Sequence, residues 1–439
     1  MNRHMRLTAL VGALLMLILL PAFGSGSQEP EVETTESGAV KIEFWHDWAP
    51  EGVQGSVLSG LIDEYNEANT DDVFVLPVYM GGRRSEKIAG ALAAGDPPDI
   101  AWISNFGSAY YEVGQLMDMN RVYDDYIDRD DLLADLVDRQ QFLGEDITLP
   151  FENSSLALLY DRQKLAEAGI EEPSPDPDST WTWDEFIDAA AQFSNPSEGV
   201  YGWHPRINTA VLNTVFWEKG GEYFSEDLKT NLIVSDSDMR QRMVDALQVI
   251  RRMVWEDRIT ANDIGDQGFG TQDTAFEITG PWALPRYIEP NGSYSLDQLG
   301  VAPMPRDAGT GVQYSRWYQK SLALFATNDA REQATLDFIS WFYSPEIHAR
   351  WAVDAGYLPI TESAMETEIW QSLVDDVPQV QVYLDQADRL KIRRKGVPHG
   401  DVGTMLDAVR FDEATPEEAV ATYVETAQQE RDEFWARRE

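Results

Sequence analysis

The chain has 439 residues, no Cys, and a formal charge of −42 from 76 acidic and 34 basic side chains. The lack of Cys excludes disulfides, thiol catalysis and thiolate metal sites, and so acidic a surface repels nucleic acid and anionic lipid. A chain of this length supplies about two domains, each with a core large enough to hold without cross-links.

Arg3, His4 and Arg6 precede an apolar stretch from Leu7 to Leu20, followed by Pro21 and the small residues Ala22 and Gly24. A basic head, a short apolar run and a small-residue exit predict an export signal over 1–24, because a membrane span takes roughly 20 apolar residues. Cleavage after Gly24 would release a soluble protein, and with no Cys after the apolar run a lipid anchor has no attachment point. Residues 25–39 are rich in Ser and Glu without periodicity and read as a flexible leader.

Ile42 and Phe44 alternate with polar neighbours, and Trp45, His46, Asp47 and Trp48 close that strand. Val57, Leu58, Leu61, Ile62 and Tyr65 share a helical face, Val73 to Leu76 form a second strand, and Ile88, Ala91, Leu92 and Ala94 a second helix. Gly95-Asp96-Pro97-Pro98 stops that helix before a third strand, Ile100 to Ile103. This alternation is the grammar of a parallel sheet covered on both faces. Ligands sit beyond the carboxyl ends of such strands, which puts Asp47, Trp48, Ser104 and Asn105 on one rim.

Ile147 to Phe151 and Leu156 to Tyr160 read as extended runs separated by Glu152-Asn153-Ser154-Ser155. Thr182 and Glu185 form a capping box opening a helix through Phe193. Further helices are predicted over Met239 to Val254, Gln333 to Tyr343 and Pro416 to Trp435, with a strand over Ser315 to Ala326. The class is α/β.

No phosphate loop, dinucleotide fingerprint, Gly-x-Ser-x-Gly elbow or helical His pair occurs. The five His are scattered, and Asp63 to Asp72 lacks the Gly that a calcium loop needs. No cofactor and no metal site is expected. Carboxylate pairs for glycoside hydrolysis are defined in space and not in sequence, so a secreted carbohydrate-active enzyme stands as the reading from another class.

Aromatic placement is the informative feature. Many of the 14 Trp lie where strands end or turns begin. Sugars offer C–H faces that stack on indole and hydroxyls that pair with carboxylates, amides and Arg. Trp48, Trp203, Trp217, Trp282 and Trp317 are the candidates on this ground, whereas Trp45 and Trp102 lie inside strand-like runs and read as core.

Seven segments in order resemble the family 1 extracellular solute-binding proteins, the maltose- and oligosaccharide-binding receptors of ABC importers. They are Ile42 to Trp48; Ala91 to Ile100; Leu149-Pro150 with Leu158 to Asp161 and Ala168-Gly169-Ile170; Thr180 to Glu185; Gly280-Pro281-Trp282; Val301 to Pro305; and Gly356-Tyr357-Leu358-Pro359. The resemblance covers Val40 to the C-terminus. It departs at Gln313 to Tyr318, where the family often carries paired Gly, and in the missing anchor Cys.

The resemblance implies a two-lobed periplasmic-binding-protein fold, each lobe a sheet flanked by helices, with three interlobe crossings. One lobe would hold 40–150 plus 316–357, the other 151–315 plus 358–439. It further implies a monomeric, non-enzymatic periplasmic receptor that closes on a carbohydrate and delivers it to the membrane permease. Carried over by position, the ligand contacts would be Asp47, Trp48, Ser104, Asn105, Glu152, Asn153, Trp217 and Trp282, then Trp203, Arg316, Trp317 and Asp401. A polyol or glycerol-phosphate is the alternative solute, because Arg83, Arg84 and Arg316 could supply the charge that a phosphate needs.

Overall fold

A computed structural model describes residues 33–69, 72–104, 107–205, 207–265, 267–392, 398 and 400–437. The export signal, the first part of the leader and Asn105 lie outside the described residues. Among those described, no helix is long and apolar enough to cross a membrane.

Strand β1 (Val40–His46) buries Ile42, Phe44 and His46 and leaves the residues between them half-exposed, the period of a sheet with one face on a core. Helix α1 (Val53–Ala68) buries Leu58, Leu61, Ile62 and Tyr65 at helical spacing,. β2 (Val73–Tyr79) pairs parallel with β1. α2 (Arg84–Ala94) then ends on Gly95 at φ 76°, a left-handed stop that glycine adopts without a Cβ penalty. β3 (Ile100–Ile103) also pairs parallel with β1, so the expected parallel sheet is present.

Part of the segment read as leader is folded. Gly38 turns the chain at φ 99°, Thr34 bridges to Val40, and Lys41 pairs with Glu33 at 2.7 Å. Residues 33–38 therefore lie back on β1.

A second departure concerns Glu152 to Ser155, which do not interrupt a strand. β4 (Leu149–Ser155) runs straight through them, and β5 (Ala157–Asp161) begins after Leu156. The capping box opens α3 (Trp183–Gln192), with Thr182 N donating to Glu185 Oε2 at 2.7 Å and Glu185 N to Thr182 Oγ1 at 3.2 Å. β6 (Trp203–His204), α4 (Ser237–Arg251), β7 (Phe276–Thr279) and β8 (Leu299–Ala302) follow. The second sheet runs β8-β5-β7-β6.

β9 (Ser315–Leu324) returns the chain to the first sheet, pairing antiparallel with β3 and β4. α5 (Asp329–Phe342) and α6 (Pro345–Ala355) cover that sheet, and the chain then leaves it beside β4, where Leu358 N donates to Asn153 O at 2.9 Å. The three passages between the sheets are thus Leu156, the segment before β9, and Tyr357-Leu358. The short β10 (Leu390–Lys391) pairs with the start of β9. α7 (Val402–Arg410) and α8 (Pro416–Ala436) close the second lobe.

Each lobe has its own core. Phe44, Leu58, Phe151, Phe338 and Trp351 centre the first, and Phe186, Trp203, Phe216, Leu247 and Phe276 the second. One buried ion pair ties the first sheet to its covering helix. Asp99, fully buried, accepts from Glu43 N at 2.8 Å and from Arg331 Nε and Nη2 at 2.8 and 2.9 Å. Breaking such a pair from one side leaves a buried charge uncompensated, at a cost of about 3–5 kcal/mol. Arg331→Leu is therefore expected to lower the unfolding free energy by that amount, seen as a lower urea midpoint at unchanged slope, and a loss below about 1 kcal/mol would show the pair to be dispensable.

Candidate functional site

The parallel strands β1 and β3 end on the same rim, and one side chain joins them. Arg84, at the start of α2, pairs with the Asp47 carboxylate and donates from Nη2 to Ser104 Oγ at 2.8 Å. Gly82 N also donates to Asp47, at 3.3 Å. The Arg84 guanidinium lies 4.2 Å from the centre of the Trp102 ring. Burial lowers the Arg84 pKa, and Asp47 is the largest influence opposing it.

Trp102 is half-buried and faces this rim, so its reading as core is corrected. Its indole NH donates to Glu152 Oε1 at 2.6 Å, and its ring lies 5.0 Å from that of Trp48. Trp48 in turn donates to Tyr357 Oη at 3.2 Å. Glu152, on β4, stands opposite Lys320 of β9 in the antiparallel register, and residues directly opposite share a face of the sheet.

Alternation along β9 sorts the remaining candidates. Arg316, Tyr318 and Lys320 are half-buried, whereas Ser315, Trp317, Gln319 and Ser321 between them are buried. Lys320 Nζ lies 5.5 Å from the Trp102 ring centre and 5.8 Å from that of Tyr318, and the Arg316 guanidinium carbon lies 5.6 Å from Tyr318. Trp282, following β7 in the second lobe, meets Tyr318 edge to face at 5.4 Å. A continuous band thus runs from Asp47 and Ser104 through Arg84, Trp102, Glu152, Lys320 and Tyr318 to Trp282. It is carried by both lobes.

Trp282 is held from several sides. It is half-buried against the cores of both lobes and against a third cluster containing Leu159, Leu284 and Tyr383. Its carbonyl accepts from Gln54 Nε2 at 3.2 Å, and Gln54 also donates to Ala355 O at 2.9 Å. A Cβ on Gly280 would lie 2.0 Å from the indole, and one on Gly356, at φ 77°, would lie 2.8 Å from Trp282 Cα. A cavity of about 430 Å³ lies beside this point, lined by Val53, Val57, Leu284, Tyr357 and Val380 together with Glu289 and Asp354.

Of the candidates read from the sequence, Asp47, Trp48, Ser104, Glu152, Arg316 and Trp282 are gathered in or beside this band. Asn153 and Trp317 face away from it. Trp317 Nε1 donates to Asn153 Oδ1 at 2.8 Å, and Asn153 Nδ2 to Pro359 O at 3.4 Å, so this pair fastens the crossing and is buried there. Trp203 is fully buried against Phe186, which corrects its assignment as a contact. Trp217 is buried in the second-lobe core. Asp401 caps α7, accepting from Thr404 N at 2.8 Å and Thr404 Oγ1 at 2.6 Å. Trp102, Tyr318, Lys320 and Tyr357 were missed as candidates, although the two-residue period of β9 separates Lys320 and Tyr318 from Trp317.

Among the described residues no group of three or more His, Asp or Glu is placed to hold a metal ion. The chemistry on offer is that of aromatic faces beside charged hydrogen-bonding groups. A family model describing bacterial extracellular solute-binding proteins matches residues 60–378. The chain belongs to that family.

Among curated members, the sn-glycerol-3-phosphate-binding periplasmic protein UgpB of Pectobacterium atrosepticum is 23% identical over 419 residues, covering 88% of this chain and 90% of the relative. Of solved solute-binding structures, UgpB from Mycobacterium tuberculosis in complex with glycerophosphocholine superposes with a TM-score of 0.75 at 19% identity, over 90% of this chain and 99% of that one. The substrate-binding protein Lmo0181 from Listeria monocytogenes, in complex with cycloalternan, gives 0.73 at 19% identity, over 89% and 98%. These superpositions show the two-lobed periplasmic-binding-protein fold.

Burial is the dominant influence on Glu152 and raises its pKa to about 7, against the opposing effects of Lys320, Trp102, Tyr357 and Arg84. Between pH 4.5 and about 7 the folded chain therefore keeps a proton that the unfolded chain has lost. Stability contributed by this group is complete below that window and is lost as pH rises through it. Relative to the parent, Glu152→Gln is expected to gain on the order of 3 kcal/mol between pH 4.5 and 8. Denaturant melts at the two pH values check this, and parallel pH profiles would place the titration elsewhere.

Proposed function

We propose that this chain is the extracytoplasmic solute receptor of an ABC importer, closing its two lobes on a carbohydrate and delivering it to the membrane permease. The observation that carries the reading is the band from Asp47 to Trp282. Trp48, Trp102, Tyr318 and Trp282 supply aromatic faces, and Asp47, Glu152, Lys320 and Arg316 stand between them. Sugars are recognised by that combination, with C–H faces on aromatic rings and hydroxyls on charged partners. A solute touching Trp282 in one lobe and Glu152 or Trp102 in the other makes its full set of contacts only when the lobes are together, so it shifts the population toward the closed form.

The cycloalternan complex of Lmo0181 supports a carbohydrate as the solute, and the apolar run after Arg6 supports export. A glycerol-phosphate-type solute is the second reading, supported by the UgpB relatives and by Arg84 and Arg316 at the band. The receptor reading contains no catalytic step. Incubation with a stabilising sugar should return that sugar unchanged on chromatography, and many turnovers per protein would establish an enzyme instead.

Trp282 is the assigned stacking face. Its loss is expected to cost about 1–3 kcal/mol of binding, or roughly 5- to 150-fold in affinity. Because Trp282 also packs against three clusters, Trp282→Ala should melt at a lower temperature than the parent. Calorimetric titration of the folded variant decides the assignment, and unchanged affinity removes Trp282 from the site.

A further inference from the structure

One cation of the band has no oxygen partner in direct contact. Arg84, Arg316 and Lys320 face the band, together with two carboxylates, Asp47 and Glu152. Asp47 is committed to Arg84, which is itself tied to Ser104. Glu152 accepts from the Trp102 indole, and the Tyr357 hydroxyl also lowers its pKa. Lys320 is the group left over. Among the described residues its ammonium makes no hydrogen bond and no ion pair within 4 Å; the rings of Trp102 and Tyr318 lie beside it, and the Glu152 carboxylate acts on it from the opposite strand without direct contact.

This arrangement is unusual for the chain that carries it. With 76 acidic residues against 34 basic ones, a half-buried ammonium has carboxylates in excess to pair with. Removing a cation from water without an oxygen partner is costly. The Lys320 stem could simply cover aromatic surface, as lysine stems do. Here, though, the head lies between two aromatic rings and opposite Glu152, on the face shared by Arg316, and burial lowers its pKa. An oxyanion from solution would complete the coordination that the protein leaves open, through charge-assisted hydrogen bonds.

We infer that the cleft contains an acid-group subsite, in which Lys320 binds the carboxylate or phosphate-ester group of an acidic polyhydroxylated solute, with Arg84 and Arg316 adding charge behind it. This deepens the receptor reading and rests on it. The aromatic faces hold the solute body, and Lys320 selects for the acid. A neutral sugar fills the aromatic part and leaves the ammonium unpaired.

The test uses matched pairs on the full chain at low ionic strength: glucose and glucuronate, galactose and galacturonate, galactobiose and digalacturonate, glycerol and sn-glycerol 3-phosphate. In calorimetric titrations, with thermal shift as a screen, the acidic member of at least one pair should bind about tenfold or more tighter than its neutral partner. That preference should shrink as salt rises. In Lys320→Met, which keeps the apolar stem, the ratio within the pair should fall to about one. Arg316→Met should lower it by a smaller factor. A uronate that binds identifies a carboxylate solute, and glycerol phosphate alone identifies a phosphate ester.

Neutral members binding as tightly as acidic ones would overturn the subsite and leave the receptor reading intact. An acid preference that survives in Lys320→Met would overturn the assignment of Lys320. If no member of any pair binds, the subsite falls, and a neutral maltooligosaccharide titrated alongside decides separately whether the carbohydrate reading stands.

Discussion

The antiparallel pairing of β9 with β4 joins two strands that both lie where the chain passes between lobes, and its register sets which side chains the cleft receives. Trp317 stands opposite Ser155, Gln319 opposite Asn153 and Lys320 opposite Glu152, before the register shifts at Ser321. Successive side chains of a strand point to opposite faces. One face of this ladder therefore builds the first-lobe core through Trp317 and Gln319, and the other builds the band through Tyr318 and Lys320. A slip of one residue would exchange the two sets. The ladder is protected against that slip by hydrogen bonds on its buried face, from Trp317 to Asn153 and from Gln319 Nε2 to Leu136 O at 3.0 Å.

Much of the fold was legible because its elements are regular. The β1-α1-β2-α2-β3 unit follows from alternation in β1, one apolar helical face in α1 and a Gly stop after α2. The capping box at Thr182 is a local pattern that needs no partner to be recognised. Glu152 to Ser155 were not legible as strand, because four consecutive polar residues satisfy their burial through β9, more than 150 residues away in sequence. The site was legible in part for the same reason. Asp47 and Trp48 follow a readable strand, whereas the roles of Trp102, Tyr318 and Lys320 depend on which face of a sheet meets the other lobe. Trp203 and Asp401 show the converse. Their residue types suit a sugar site, but packing against Phe186 and the start of α7 claim them.

Electrostatics in this chain works on two scales. The surface is strongly acidic, which keeps such a protein dispersed and repels other polyanions. Inside, opposite charges are paired in small sets: Asp99 with Arg331 under the first sheet and Asp47 with Arg84 at the rim, while Lys320 stands opposite Glu152 without an ion pair. In a low-dielectric interior the members of each set act strongly on one another, whereas the exposed surface charges are screened by water and salt. A cation-rich spot can therefore persist inside a polyanion.

The packing around Trp282 bears on how this cleft could change over evolutionary time. The indole occupies its place because Gly280 and Gly356 leave room for it, and neither glycine belongs to the band of polar and aromatic side chains. A side chain at Gly280 would occupy the space of the ring itself, and one at Gly356 would press on the backbone that carries it. On the proposed role of Trp282, selectivity is thus partly written in missing atoms. A lineage could acquire a new solute by altering either glycine, with every residue that lines the cleft left as it is.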